Sequence, residues 1–284
     1  MADAPGTARA LWALFEPVHA VTYFAPEALS AFADAGLRGF WRGYFAGRAA
    51  ALGTVGPEPV TAAFFGFAPA MVARALPEVW SAVTPGAALA ARQAGARAAL
   101  TRLLSGRERQ TAEAADLLLE RVRGLDCAGR VLAAAHHGLD APPGPAGRLW
   151  HAATVLREHR GDGHVAALVA AGLDGCESLV LRTGIDLPRH ELQPFRGWSD
   201  AQWQAAVDRL AGRGLLDAAG TATPKGRLLH RRVEEATDRA AARPWQEWDA
   251  GAPERLRRLL APLAGSCAAA LRFPNPMGLP APRE

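Results

Sequence analysis

The chain has 284 residues, half of them hydrophobic, and carries 32 basic against 28 acidic residues for a net charge of +4. That length allows one large domain or two ordinary ones, and so apolar a composition excludes global disorder. The charge bias is mild, well short of a basic footprint, and the arginines say little by themselves, because Ala and Arg dominate while Lys225, Ile185 and Asn275 are the sole residues of their kinds, as a GC-rich coding bias produces.

Residues 8–24 set Leu11, Leu14, Phe15, Val18 and Thr22 at helical spacing, and Pro17 is expected to kink this helix or divide it in two. Pro26 opens a second helix with Leu29 and Phe32 inward, closed at Gly36. An aromatic-rich helix follows over 38–52 and a turn-forming linker over 53–59. Helices are expected next over 60–67, 69–80, 86–104 and 111–123. The run 138–147, GLDAPPGPAG, reads as an interdomain linker. Beyond it a helix over 148–160 is expected to turn through Gly161-Asp162-Gly163 and resume over 164–171, with Asp162 capping the second piece.

The stretch from Gly197 to Arg239 is the most specific. Ser199 caps a helix with Trp203, Val207 and Leu210 at i, i+4 and i+7, and Gly212 and Gly214 stop it. Leu215-Leu216 and Thr221-Ala222-Thr223 flank the turn residues Asp217 and Gly220 as hairpin strands would, and Pro224 starts the next helix. Helix, wing and helix make the back half of a winged helix-turn-helix. The segments AFADAGLRG (31–39) and ALVAAGLDG (167–175) match, and Val72, Leu76 and Val79 repeat the spacing of Trp203, Val207 and Leu210. An internal duplication whose first copy has lost its wing accounts for this; chance likeness between Ala-rich helices is the competing account.

FEPVHAVTYFAPEAL (15–29), LWHAATVLREHRGDGHVAALVAAGLDG (149–175) and the segment from Gly197 to Arg239 together resemble an actinobacterial family of helix-turn-helix proteins. The resemblance covers nearly the whole chain and implies a winged-helix fold, with no substrate or catalytic residue to carry over. ATPKGRLLHRRVEEATDR also looks like the wing-to-helix passage of MarR-type regulators. The expected fold is all-α, with tandem winged helix-turn-helix-like units and one small β-hairpin wing. The expected domains are 1–140, a degenerate N-terminal unit; 148–243, the winged unit; and 244–284, a C-terminal helix with an irregular Pro-rich tail.

A DNA reader of this kind would use Gln202, Gln204, Arg209 and Arg213 on the recognition helix, with Lys225 and Arg227 at the base of the wing. Asp200 and Asp208 share that helix and repel phosphate, and residues 196–243 hold nine basic and six acidic side chains. A lone module would bind weakly, so a homodimer is expected. The rival reading is an enzyme or small-molecule binder using the helices as scaffold. Trp12, Glu16, His19 and Tyr23 fall in one column of the first helix, where Glu16 would poise His19 near neutral pH, and His159, Asp162 and His164 would converge on them. Each has an ordinary structural explanation as a buried partner or cap. Arg157 and Arg160 are placed to hold an anion at the helix start after Gly163.

The aromatic set Trp12, Tyr23, Phe40, Trp41, Tyr44, Phe64, Phe65 and Phe67 is able to line an effector pocket, although such rings more often form core. No phosphate loop, nucleophile elbow or dinucleotide fingerprint occurs, HRGDGH lacks zinc spacing, and no cofactor or metal is implied. Three scattered cysteines, no leader-like N-terminus and no long uncharged apolar run lead to the expectation of a cytoplasmic protein without membrane contact. The first reading is therefore a regulator that binds double-stranded DNA and responds to a small-molecule effector.

Overall fold

Proline and glycine mark most helix ends in the computed structural model, which describes residues 3–249 and 251–271. In chain order the α-helices are α1 (Ala4–Phe24), α2 (Pro26–Asp34), α3 (Phe40–Ala49), α4 (Pro57–Phe64), α5 (Pro69–Ala73), α6 (Val79–Ala82), α7 (Pro85–Leu103), α8 (Glu108–Val122), α9 (Val131–His137), α10 (Gly144–Ala170), α11 (Gly175–Thr183), α12 (Arg189–Arg196), α13 (Asp200–Gly212), α14 (Pro224–Ala241) and α15 (Ala252–Ala268). Eight of these, α1, α2, α4, α5, α7, α10, α14 and α15, have proline within their first two positions, where a missing N–H costs nothing. The Pro-rich tail from Arg272 lies outside the described residues.

The organising element is α10, 27 residues long. Residues Leu149 to Leu156 are all buried, so this stretch is enclosed on every side, as expected of a helix that runs through a protein's middle. It packs against α8, α14, α9, α1 and α7. One core joins α1, α7, α8 and α15 to its first half, through Leu11, Phe15, Leu100, Leu118, Leu149 and Leu260. Residues from both sides of the run 138–147 share that core, and α10 begins inside the run at Gly144. A second core, built on Phe45, Phe64, Phe67, Val72 and Leu132, sits beneath α3, α4, α5 and α9. A third gathers Leu168, Val180, Trp203, Leu210, Leu215 and Val233 from α10, α11, α13 and α14.

Several expectations need correction. Pro17 does not divide α1, which runs unbroken from Ala4 to Phe24 with Glu16, Pro17 and Val18 all buried. Gly161-Asp162-Gly163 is no turn, since α10 passes straight through it. Gly163 is there for close approach: a Cβ would lie 2.7 Å from Arg130 Nη1 and 3.0 Å from Ala240 Cβ. Packing of α14 and Arg130 against this point outweighs the roughly 1 kcal/mol that a mid-helix glycine costs. The expected helix over 69–80 is two short helices, α5 and α6, with Pro77 between them. It is therefore no counterpart of α13.

The small β-hairpin wing is absent, although the all-α class stands. Among the described residues no strand forms, and 215–223 holds a single antiparallel bridge, Leu216 to Ala222. The bridge cannot grow. On one side Asp217 closes a tight turn, its carboxylate accepting from Ala219 N and Thr221 N. On the other, Leu215 is tied back to Leu210 O, and Thr223 already caps α14 ahead of Pro224, which has no N–H to give a ladder.

The matching segments 31–39 and 167–175 share a physical cause. Each ends a helix with a glycine at positive φ, Gly36 at 93° and Gly172 at 67°. Each then returns an N–H five residues back, Leu37 to Phe32 O at 2.8 Å and Leu173 to Leu168 O at 3.1 Å. This is the same helix-ending motif used twice, and it requires that pattern of residues wherever it occurs.

Candidate functional site

The α1 column is real, but its members bond along it in separate pairs. Trp12 Nε1 donates to Glu16 Oε2 at 2.8 Å, and Tyr23 OH lies 2.9 Å from His19 Nε2. His19 Nδ1 meets Thr154 Oγ1 at 2.9 Å, while the Thr154 hydroxyl donates to Trp150 O at 2.8 Å. Thr154 therefore accepts from Nδ1–H, and Tyr23 donates to Nε2, which assigns the neutral tautomer. Burial, reinforced by the Arg157 charge, holds the His19 pKa well below its ordinary value. Glu16 does not poise it; its second partner is Arg157 Nε at 3.2 Å.

The remaining expected ligand residues divide. Asp162 Oδ2 accepts from Ala133 N at 2.9 Å, so it caps α9 and not a helix of its own. Burial lifts its pKa to about 6. His159 is buried with its Nε2 unbonded, and burial lowers its pKa to about 4. His164 Nδ1 bonds Thr237 Oγ1 of α14 at 2.9 Å. Of the six, Glu16 and His164 line one common cavity; His19, Tyr23, His159 and Asp162 lie outside its lining.

That cavity, about 630 Å³, opens between the N-terminal helices α1, α3 and α4 and the unit formed by α10, α11 and α14. One wall is a guanidinium network. Arg48 grips Glu158 with Nε at 3.1 Å and Nη2 at 2.9 Å, and lies 4.0 Å above the Phe64 ring. Arg157 bridges Glu158 (Nη1, 2.9 Å) and Glu16. The two arginines hold the Glu158 carboxyl well below the usual range against the burial that would raise it. Arg160 stacks on Trp12 at 4.6 Å and approaches Asp238 at 3.0 Å, an ion pair too poorly aligned for a hydrogen bond. Arg9 reaches Asp238 at 2.6 Å and Glu234 at 3.0 Å, tying α1 to α14. The expected anion site at a helix start beyond Gly163 does not exist, because α10 is continuous, yet Arg157 and Arg160 do face the cavity. Of the aromatic set, Trp12, Tyr44, Phe64 and Phe65 line it, while Phe67 and Trp41 belong to the second core.

Arg9, Arg48, Arg196 and Glu234 were not singled out by sequence. Tyr44 four residues before Arg48, on an aromatic helix, was the one available signal, since a cation on an apolar face needs a partner. Among the described residues no group of three or more His, Cys, Asp or Glu is placed to hold a metal ion.

Around α13, Ser199 and Gln202 form a reciprocal cap at the helix start, which occupies the Gln202 side chain. Gln204 donates to Asp208 at 2.9 Å. Arg209 is paired with Glu177 at 2.7 Å and Asp174 at 2.6 Å, and Arg213 bonds Gly172 O at 2.9 Å. The expected reading side chains are therefore exposed or half-exposed but engaged within the unit. Lys225 Nζ donates to Arg213 O at 2.7 Å, beside a small cleft also lined by Leu228 and Arg232. With Arg227, Arg231, Arg232 and Arg239 it lies on one half of the α14 circumference, where Glu235 is exposed and Asp238, between Arg227 and Arg231, is buried. None of these five cations pairs with a carboxylate among the described residues.

No single helix among the described residues is long and apolar enough to cross a membrane. Neither a curated protein nor a solved structure matches the chain. A model of a helix-turn-helix family matches residues 8–274, and the chain belongs to that family.

Proposed function

We propose that the chain binds double-stranded DNA through its helix-turn-helix unit, as a homodimer, and that a small-molecule effector modulates this contact. The observation that carries the reading is the cationic arc of α14, Lys225, Arg227, Arg231, Arg232 and Arg239, adjoining the C-terminal end of α13. Family membership supports it. Because Arg209 and Arg213 are drawn onto Glu177 and Asp174, contact falls mainly on phosphates and sequence discrimination is modest.

The test is fluorescence anisotropy with a labelled mixed-sequence duplex over a salt series. Five phosphate contacts per protomer, ten for the homodimer, give a log–log slope of about −9. Absence of binding at 50 mM salt, about the lowest concentration used in such series, overturns the reading. A Lys225→Glu/Arg231→Glu/Arg232→Glu variant that binds as tightly as the parent chain also does so.

A further inference from the structure

We infer that residues 64–66 form a strained clasp that fastens α11 over the cavity, and that release of this clasp is the movement that opens the cavity. The inference rests on the effector part of the reading above and not on duplex contact. Helix α4 ends on Phe65, whose φ of 53° and ψ of −57° are rarely adopted by a residue with a side chain. Gly66 N donates to Phe64 O at 2.6 Å, so the three residues close a γ-turn of the strained kind. Such a backbone persists only where its surroundings hold it.

The surroundings of Phe65 belong to both units. Phe64 and Phe67 are buried in the second core, whereas the half-buried Phe65 ring packs against the third. Phe65 O lies so close to Gly175, the first residue of α11, that a Cβ there would be 2.1 Å from it. Trp198 Nε1 donates to Gly66 O at 3.0 Å, and Ala68 N donates to Arg196 O at 2.9 Å. On the cavity side, Ser178 and Leu179 of α11 line the wall together with Phe64, Phe65 and Gly66. A Cβ on Gly66 would lie 3.8 Å from Leu179 Cδ2, so the seam between the two is closed.

The clasp is built to part. Helix α11 otherwise packs on α12, α13 and α14, so at this seam the contacts of residues 65–68 hold it to the N-terminal helices. Relaxing Phe65 to negative φ returns the strain, which offsets part of what is lost with the hydrogen bonds at Gly66 O and Ala68 N. The closed and open seams therefore lie nearer in free energy than the contacts alone imply, as a bistable element requires. A ligand in the cavity touches Phe64, Phe65 and Leu179, whose places differ between the two, and so acts on that balance.

Hydrogen exchange read by mass spectrometry on the full chain tests the clasp, with Gly175→Ala as the first variant. Gly175 is not at positive φ and alanine is the better helix former, so the obstacle to a Cβ is Phe65 O. Exchange of the Ala68 amide is expected to rise about tenfold or more, the scale of an overpacked contact, while the amides of Leu149 to Leu156 in α10 keep their rates. Iodoacetamide labelling of a Leu179→Cys chain, read at that position, becomes about tenfold faster when Gly175→Ala is added, because α11 lifts from the seam. Phe65→Gly, which accepts the positive φ, exchanges the Ala68 amide more slowly than Phe65→Ala, which keeps the strain. Unchanged exchange at Ala68, a parallel rise in α10, unaccelerated labelling of Leu179→Cys, or slower exchange in Phe65→Ala than in Phe65→Gly each overturns the proposal. None of these measurements uses a duplex, so loss of the DNA reading and failure of the clasp are told apart.

Discussion

The arginines facing the cavity and those on the outer arc of α14 are one residue type in two physical situations. Arg48 is 6% exposed and held on Glu158 by two hydrogen bonds, so its charge is compensated within the fold. Arg231 and Arg232 stand in water with no carboxylate partner among the described residues. Buried guanidinium groups demand fixed partners, because an uncompensated charge there is expensive, whereas exposed ones are hydrated, screened by salt and available to an external polyanion. The inner set therefore bears on stability. The outer set bears on long-range, salt-dependent attraction.

Removing the central carboxylate breaks the inner network most severely. Glu158→Gln leaves Arg48 and Arg157 without their shared counter-charge and is expected to lower unfolding free energy by about 3–5 kcal/mol in urea titration. A loss below about 1 kcal/mol, the scale of an exposed pair, would show that the network is solvated.

Acid probes the same interior. His136, His151 and His159 are kept neutral by burial, with pKa values of about 3, 4 and 4. Unfolded histidines protonate near 6.5, so the unfolded state binds more protons and stability falls as pH drops from about 6.5 to about 4. Asp162 works in the opposite sense: its pKa is raised to about 6, and its contribution is lost as pH rises from about 4 toward 6. Three groups against one make the net slope positive, and a melting temperature that rises on acidification would contradict this.

Gly163→Ala presses a Cβ against Arg130 Nη1 and Ala240 Cβ, at the point where Arg130 also reaches His159 O and Ala240 O. A loss of about 1–3 kcal/mol is expected from overpacking. Unchanged or increased stability in thermal denaturation would mean that the glycine is not there for close approach. The smallest effect on folding comes from the outer set. Lys225→Glu/Arg231→Glu/Arg232→Glu should leave unfolding free energy within about 0.5 kcal/mol per substitution while removing duplex binding. A large destabilisation would place these cations with the inner set.

What was legible followed from local chemistry. The Ser199 cap, the stops at Gly36 and Gly172, the Pro224 start and the burial of Trp203 and Leu210 each depend on a few adjacent residues, and each is where the residue pattern puts it. The wing was misread because two short β-prone pairs around a turn satisfy the hairpin pattern, while their flanks were already committed to helix ends at Leu215 and Thr223. Gly161-Asp162-Gly163 was misread because glycine serves turns and close approach equally, and what lies 3 Å from Gly163 comes from Arg130 and Ala240.

The sequence by itself determined the helical class, most helix boundaries and membership of a helix-turn-helix family, because capping, proline chemistry and apolar periodicity act over a few residues. Tertiary structure alone decided that Arg48, Glu158, Arg157 and Glu16 form one network and that Asp162 caps α9. It alone joined Glu16 and His164 across one cavity. Apart from the neighbours Arg157 and Glu158, the hydrogen-bonded partners are separated by 29 to 141 positions in the chain. Such pairings arise from the way α1, α3 and α9 pack on α10, and no local periodicity encodes which side chains of two helices will face each other.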